Sequence, residues 1–154
     1  LLPGKNLYLI GTGTGLAPWL SIIRDPDTYE RYEKVIVVHG VRHVADLAYQ
    51  EMLEKDLFEH EILGDIIKDK LIYYPTVTRE PFRNQGRISD QIENGTFPQN
   101  IGLPPLNRET DRVMLCGSPE MLDTLKHMFE ARGFNEGNTT TPGDFVIERA
   151  FVEK

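Results

Sequence analysis

A chain of 154 residues, 40% hydrophobic and 27% charged, has the size and make-up of one soluble globular domain. Nothing in it approaches the roughly 20 consecutive apolar residues of a membrane helix, and a net charge of −7 argues against a generic nucleic-acid binder with a basic face. A single cysteine excludes an internal disulfide and fits a reducing, cytoplasmic setting. The opening Leu1-Leu2-Pro3-Gly4 lacks both a Met and a charged-then-apolar leader, so a fragment of a longer protein beginning at a linker is expected.

The first apolar run, residues 7–10, reads as a strand and meets the glycines of "GTGTG" at 11–15. Behind them Leu16, Trp19, Leu20 and Ile23 follow offsets of 0, 3, 4 and 7, one face of a helix. Residues 35–39, "VIVVH", form a near-continuous β-branched run of the kind buried on both faces of a sheet. A helix is expected from about 46 to 61, with Ala48, Met52, Leu53 and Leu57 among charges. Residues 71–77 give the third strand, and Pro75 puts its far end at an edge or outside the ladder. The stretch 95–108, with Pro98, Pro104 and Pro105, reads as a long surface loop. Residues 112–116 form the fourth strand. A helix over 119–132 follows, with Ser118 as cap, Pro119 at its first position and Gly133 as stop. Residues 145–152 supply the fifth strand.

Alternating strands and helices imply a doubly wound five-stranded parallel sheet with helices on both faces. Ligands of such sheets lie beyond the carboxyl ends of the strands, near the topological switch point. Four stretches meet that condition: Gly11–Pro18, Gly40-Val41-Arg42, Thr78-Arg79 and Cys116-Gly117-Ser118-Pro119. His39 and His43 straddle a strand end and would not share a face, so no metal site is expected.

Three glycines opening a helix expose backbone N–H groups beside the positive end of its dipole, which suits a phosphate, and Thr12 and Thr14 add hydroxyl donors. Their spacing is G-x-G-x-G rather than the G-x-G-x-x-G dinucleotide fingerprint, and a tight ligand-free turn is the alternative. After the second strand, where NAD-selective folds carry an acid, the chain has Arg42 and no carboxylate until Asp46. "TVTREPFRNQGR" gathers Arg79, Arg83 and Arg87, whose guanidinium forks suit a ribose 2′-phosphate, or form an ordinary basic loop. Cys116 has no second cysteine and no evident histidine partner. It is either a buried small residue or a thiol at the sheet's carboxyl edge, where the following helix N-terminus would lower its pKa.

Taken together, "GTGTGLAP", "TVTREP" with "NQGR", "CGSPEM" and the ending "AFVEK" resemble, in order, the NADP-binding domain of the ferredoxin–NADP reductase family, especially its bacterial branch. The resemblance implies that residues 1–154 are an NADP(H)-binding domain. Gly11, Thr12, Gly13, Thr14, Gly15, Leu16 and Ala17 would then sit at the pyrophosphate with Arg42 as a helper. Thr78, Arg79 and Arg87 would hold the 2′-phosphate. Cys116 would lie near the nicotinamide as a positioning residue, beside Gly117 and Ser118. Ala150 and Phe151 occupy the place of the plant-type terminal Tyr, with Phe151 over the flavin ring and the tail to Lys154 along the FAD. The flavin half of the family is an N-terminal β-barrel with an R-x-Y-S-type motif absent from this chain, so tight FAD binding by the chain alone is not expected. The whole protein would carry electrons between NADPH and a ferredoxin or flavodoxin through FAD. Two alternatives remain: an NADH-dependent reductase domain serving a cytochrome or oxygenase, and a non-catalytic nucleotide-binding module.

Overall fold

The computed structural model describes residues 2–13, 16–47, 50, 52–138 and 140–148. Five parallel strands, β1 (Asn6–Thr12), β2 (Lys34–Val41), β3 (Leu71–Val77), β4 (Asp111–Cys116) and β5 (Phe145–Ile147), form one sheet in the order β3-β2-β1-β4-β5. The order reverses direction at β1, which pairs with β2 on one side and β4 on the other. All five expected strands are present, and β3 is an outer strand, consistent with Pro75. β5 ends at Ile147, short of the expected 152, and residues 149–152 lie outside the described part of the chain.

Strand side chains alternate between faces, so each strand feeds two cores. Leu7, Leu9, Val35, Val37 and Leu71 pack with Trp19 and Ile23 of α1 (Ala17–Arg24), Tyr29 of α2 (Pro26–Arg31), Leu57 of α3 (Leu57–Glu59) and Leu63 and Ile67 of α4 (Leu63–Ile67). Tyr8, Ile10, Ile36, Val38, Val113 and Leu115 pack on the other face. Their partners are Ile88 and Ile92 of α5 (Ile88–Glu93), Phe97 of α6 (Thr96–Ile101), and Leu122, Leu125, Met128 and Phe129 of α7 (Pro119–Ala131). The β-branched run of β2 is buried because it lies between these two layers. No described helix is long and apolar enough to cross a membrane.

Two expected elements need correction. The expected surface loop at 95–108 contains α6, whose Phe97 is fully buried. Pro98 is tolerated because it falls in the first helical turn, where its missing N–H has no intrahelical acceptor to lose. The Asn94 carboxamide oxygen accepts from the Thr96 N–H at 2.8 Å and helps start this turn. The helix expected over 46–61 is a short turn at Val44–Asp46 and then, among the described residues, a π-helical stretch, Met52–Asp56, running into α3. It stops at Glu59 because the His60 imidazole accepts the N–H groups of Ile62 and Leu63, at 3.3 and 3.1 Å, and starts α4 instead.

Candidate functional site

The carboxyl ends of β1, β2, β3 and β4 surround a cleft of about 1090 Å³. It spans the switch point between β1 and β4 and extends across β2 to β3. Of the residues expected there, Thr12, Gly13, Leu16, Ala17, Arg42, Thr78, Arg79, Arg87, Gly117 and Ser118 all line it. Gly11 does not: it lies within β1, paired in register with His39 and Cys116. Thr14, Gly15, Ala150, Phe151 and Lys154 lie outside the described residues.

At the floor, Gly117, just past the end of β4, lies against Thr12 at the end of β1. Gly117 has φ +151°, and a Cβ there would run into the Thr12 hydroxyl and stand 3.2 Å from both Thr12 Cβ and Thr12 N. The Thr12 hydroxyl oxygen in turn accepts the Ser118 N–H at 3.3 Å. Ser118 Oγ caps α7 by accepting from the Met121 N–H at 3.4 Å, with Pro119 at the first helical position. The starts of α1 and α7 therefore open into one cleft, and each helix directs its positive end there.

The glycine loop is held from β2. The Gly13 N–H donates to Gly40 O at 3.1 Å, and His39 Nε2 lies 2.8 Å from Gly13 O. A carbonyl can only accept, so Nε2 carries the proton and Nδ1, buried without a partner, does not. Burial pushes the His39 pKa down, against the opposing effect of the Gly13 bond. The imidazole thus stays neutral and locks the Gly13 peptide in place. Sequence reasoning met His39 only as half of a metal pair and missed this role. His43 is exposed, with Nδ1 3.6 Å from Asp46. Below about pH 6.5, the ordinary histidine value, the unfolded chain takes up a proton that folded His39 resists. Stability should therefore decline as pH falls from about 6.5 towards the folded pKa, by about 1.4 kcal/mol per unit of that interval. Urea unfolding of wild type and His39→Gln at closely spaced pH values checks this. The variant should lose that part of the slope, and parallel pH curves would refute it.

The far wall carries the arginines. The 78–87 loop folds back onto β3: Val77 N–H donates to Asn84 O, Gly86 N–H to Val77 O, and the Thr76 hydroxyl to Gly86 O at 2.8 Å. Buried Gln91 supports it from α5, donating to Thr76 Oγ1 at 2.7 Å and to Gly86 O at 2.9 Å. No local pattern in the sequence marks Gln91. Arg83 points elsewhere: it is ion-paired with Glu54 and lies over the Phe82 ring, 5.2 Å from its centroid. The exposed guanidinium groups of Arg42, Arg79 and Arg87 have no hydrogen-bond or ion-pair partner among the described residues.

Cys116 is buried in the α1–α4 core and does not line the cleft, which Gly117 and Ser118 reach instead. Burial, and after it the charge of Glu148, pushes its thiol pKa up, more than the Gly117 backbone bond lowers it. The lowering expected from the helix N-terminus is overridden by desolvation. Cys116 is a neutral thiol beneath the floor. Among the described residues, no group of three or more His, Cys, Asp or Glu is placed to hold a metal.

Residues 9–127 match the model of the oxidoreductase NAD-binding domain family. The chain belongs to this family. Within the oxidoreductase NAD-binding family its similarity runs to ferredoxin–NADP reductases. It is 59% identical over its whole length to one from Pseudomonas aeruginosa and 54% identical to one from Azotobacter vinelandii. The chain spans 60% of the length of each of these two relatives. A crystal structure of a ferredoxin NADP+ reductase from Neisseria gonorrhoeae with bound FAD and NADP superposes with a TM-score of 0.81 at 28% identity. That match covers 94% of this chain and 56% of the other.

Proposed function

We propose that this chain is the NADP(H)-binding domain of a flavin-dependent ferredoxin or flavodoxin–NADP reductase. The observation that carries the reading is the segregation of arginines: Arg83 is occupied by Glu54, whereas Arg42, Arg79 and Arg87 have no partner among the described residues and line one wall of the cleft. Two full negative charges on a ribose 2′-phosphate fit such a wall through bidentate guanidinium contacts. The pyrophosphate would sit at Thr12, Gly13, Leu16 and Ala17, which line the cleft at the opening of α1. The nicotinamide end would then run towards Gly117 and Ser118, with Cys116 supporting that floor from beneath.

In the whole protein, FAD would be held mainly by an N-terminal β-barrel domain, with Phe151, Ala150 and Lys154 at the flavin. Bound there, the nicotinamide and the flavin would supply the redox chemistry, by hydride exchange between them and electron exchange with a ferredoxin or flavodoxin. This chain's residues bind and orient the nucleotide. They take no proton from it: His39 is committed to Gly13, and Cys116 is protonated and buried. A reducing cytoplasm is the setting consistent with the free, buried thiol.

The test is a comparison of NADP+ and NAD+ affinities by titration calorimetry. NADP+ should bind much more tightly, and Arg79→Ala should weaken it by roughly 1.5–3 kcal/mol, the usual worth of a hydrogen bond to a charged group. NAD+ binding should be unmoved by that change. Equal affinities for the two nucleotides in the wild type would favour the NADH-dependent alternative instead.

A further inference from the structure

Glu80 follows Arg79 directly, so a carboxylate sits next to one of the three arginines that line the cleft. The structure turns that carboxylate away from the cleft. Glu80 Oε1 accepts the Val44 N–H at 2.6 Å, across to the turn that follows Arg42. Two backbone bonds precede it: Thr78 N–H to Val41 O at 3.0 Å and Arg79 N–H to Arg42 O at 2.9 Å. These extend the β2–β3 ladder just past the strand ends. Beyond Arg79, the Glu80–Val44 bond is the one hydrogen bond joining the 42–47 and 78–87 segments among the described residues. Arg42 and Arg79 are joined by the second of the two backbone bonds, and Leu47 packs with Val77 and Phe82. The Glu80–Val44 bond is a further tie between the two loops, beyond the point where the ladder ends. The acceptor is charged and the bond is short, at 2.6 Å, although exposed.

We propose that Glu80 is a positioning residue for cofactor choice: by tying the 42–47 turn to the 78–87 loop it braces the wall that carries Arg42 and Arg79 and so strengthens the preference for NADP(H) over NAD(H). The proposal rests on the 2′-phosphate reading given above. It predicts a sign opposite to simple electrostatics. Removing a carboxylate beside an anion site should tighten NADP+ if charge alone mattered. If the tie matters, Glu80→Ala loosens it.

The experiment measures NADP+, 2′-AMP and NAD+ binding to the full-length protein containing this chain, for wild type, Glu80→Ala and Glu80→Gln. Glu80→Ala should lose about tenfold in affinity for NADP+ and 2′-AMP, the equivalent of one good hydrogen bond. Its NAD+ affinity should stay at the wild-type value, which also shows that the variant is folded. Glu80→Gln keeps an acceptor for Val44 and sheds the charge, so it should bind NADP+ at least as well as wild type. Unchanged or tighter NADP+ binding by Glu80→Ala overturns the proposal, as does an equal loss of NAD+ and NADP+. Wild-type protein that does not prefer NADP+ overturns the 2′-phosphate reading itself, a result separate from any effect of Glu80.

Discussion

Gly117→Ala is expected to destabilise the chain by about 2–6 kcal/mol and to damage the nucleotide cleft at the same time. Two penalties add. An L residue at φ +151° strains the backbone, by about 1–3 kcal/mol. The new methyl also collides with the Thr12 side chain, an overpacking cost of about 1–3 kcal/mol. To escape, Thr12 must move, and the Thr12–Ser118 bond that joins the β1 end to the α7 cap must lengthen or break. Chemical unfolding would give the stability loss, and NADP+ titration of the folded variant the damage at the loop. A double-mutant cycle with Thr12→Ala separates the terms: the collision should shrink in that background while the backbone strain persists. A Gly117→Ala cost within about 0.5 kcal/mol, the usual range for featureless surface sites, would show that the close approach of Gly117 to Thr12 is not a constraint.

Much of this site was legible because its parts are contiguous. Each of the four stretches lies at the carboxyl end of a strand, and a parallel sheet brings strand ends together whatever their separation in sequence. Thr12, Arg42, Thr78 and Ser118 could therefore be placed on one edge before any contact was known. What stayed hidden depends on partners far along the chain. Nothing local distinguishes Arg83 from Arg87; Glu54, 29 positions away, removes Arg83 from the wall. His39 sits in an ordinary β-branched run, and its role comes from a carbonyl 26 positions earlier. Cys116 shows the same limit: strand-end position suggested a low thiol pKa, and only packing reveals that burial wins. For the fold, a near-continuous β-branched run marked β2, and the Ser118 cap, Pro119 and the Gly133 stop marked α7. The six-residue helices α2, α5 and α6 are less than two turns long, too short for a periodic stripe to emerge above turn-forming residues.

The sharpest test of the corrected 95–108 segment is Phe97→Ala, expected to cost about 3–5 kcal/mol. In an exposed loop, that substitution would change stability by no more than about 0.5 kcal/mol. Here the ring is fully buried, edge-on to Tyr74 at 4.8 Å and to Tyr8 at 5.9 Å between centroids. Both neighbours sit on the sheet, so the ring pins α6 to β1 and β3 together. Truncation leaves a void that tyrosines fixed on strands cannot collapse to fill, which favours the upper part of the range. For a domain whose total stability is about 5–15 kcal/mol, the loss would be visible as a large drop in the urea midpoint. Phe97→Leu retains most of the volume and forfeits the edge-to-face contacts, so it should fall well short of the alanine variant. Because Phe97 lies against the α5–α7 layer and not in the cleft, NADP+ affinity of the folded variant should stay near wild type. A large stability loss without a binding loss would place residue 97 in the core and outside the site, which is where the aromatic contacts put it.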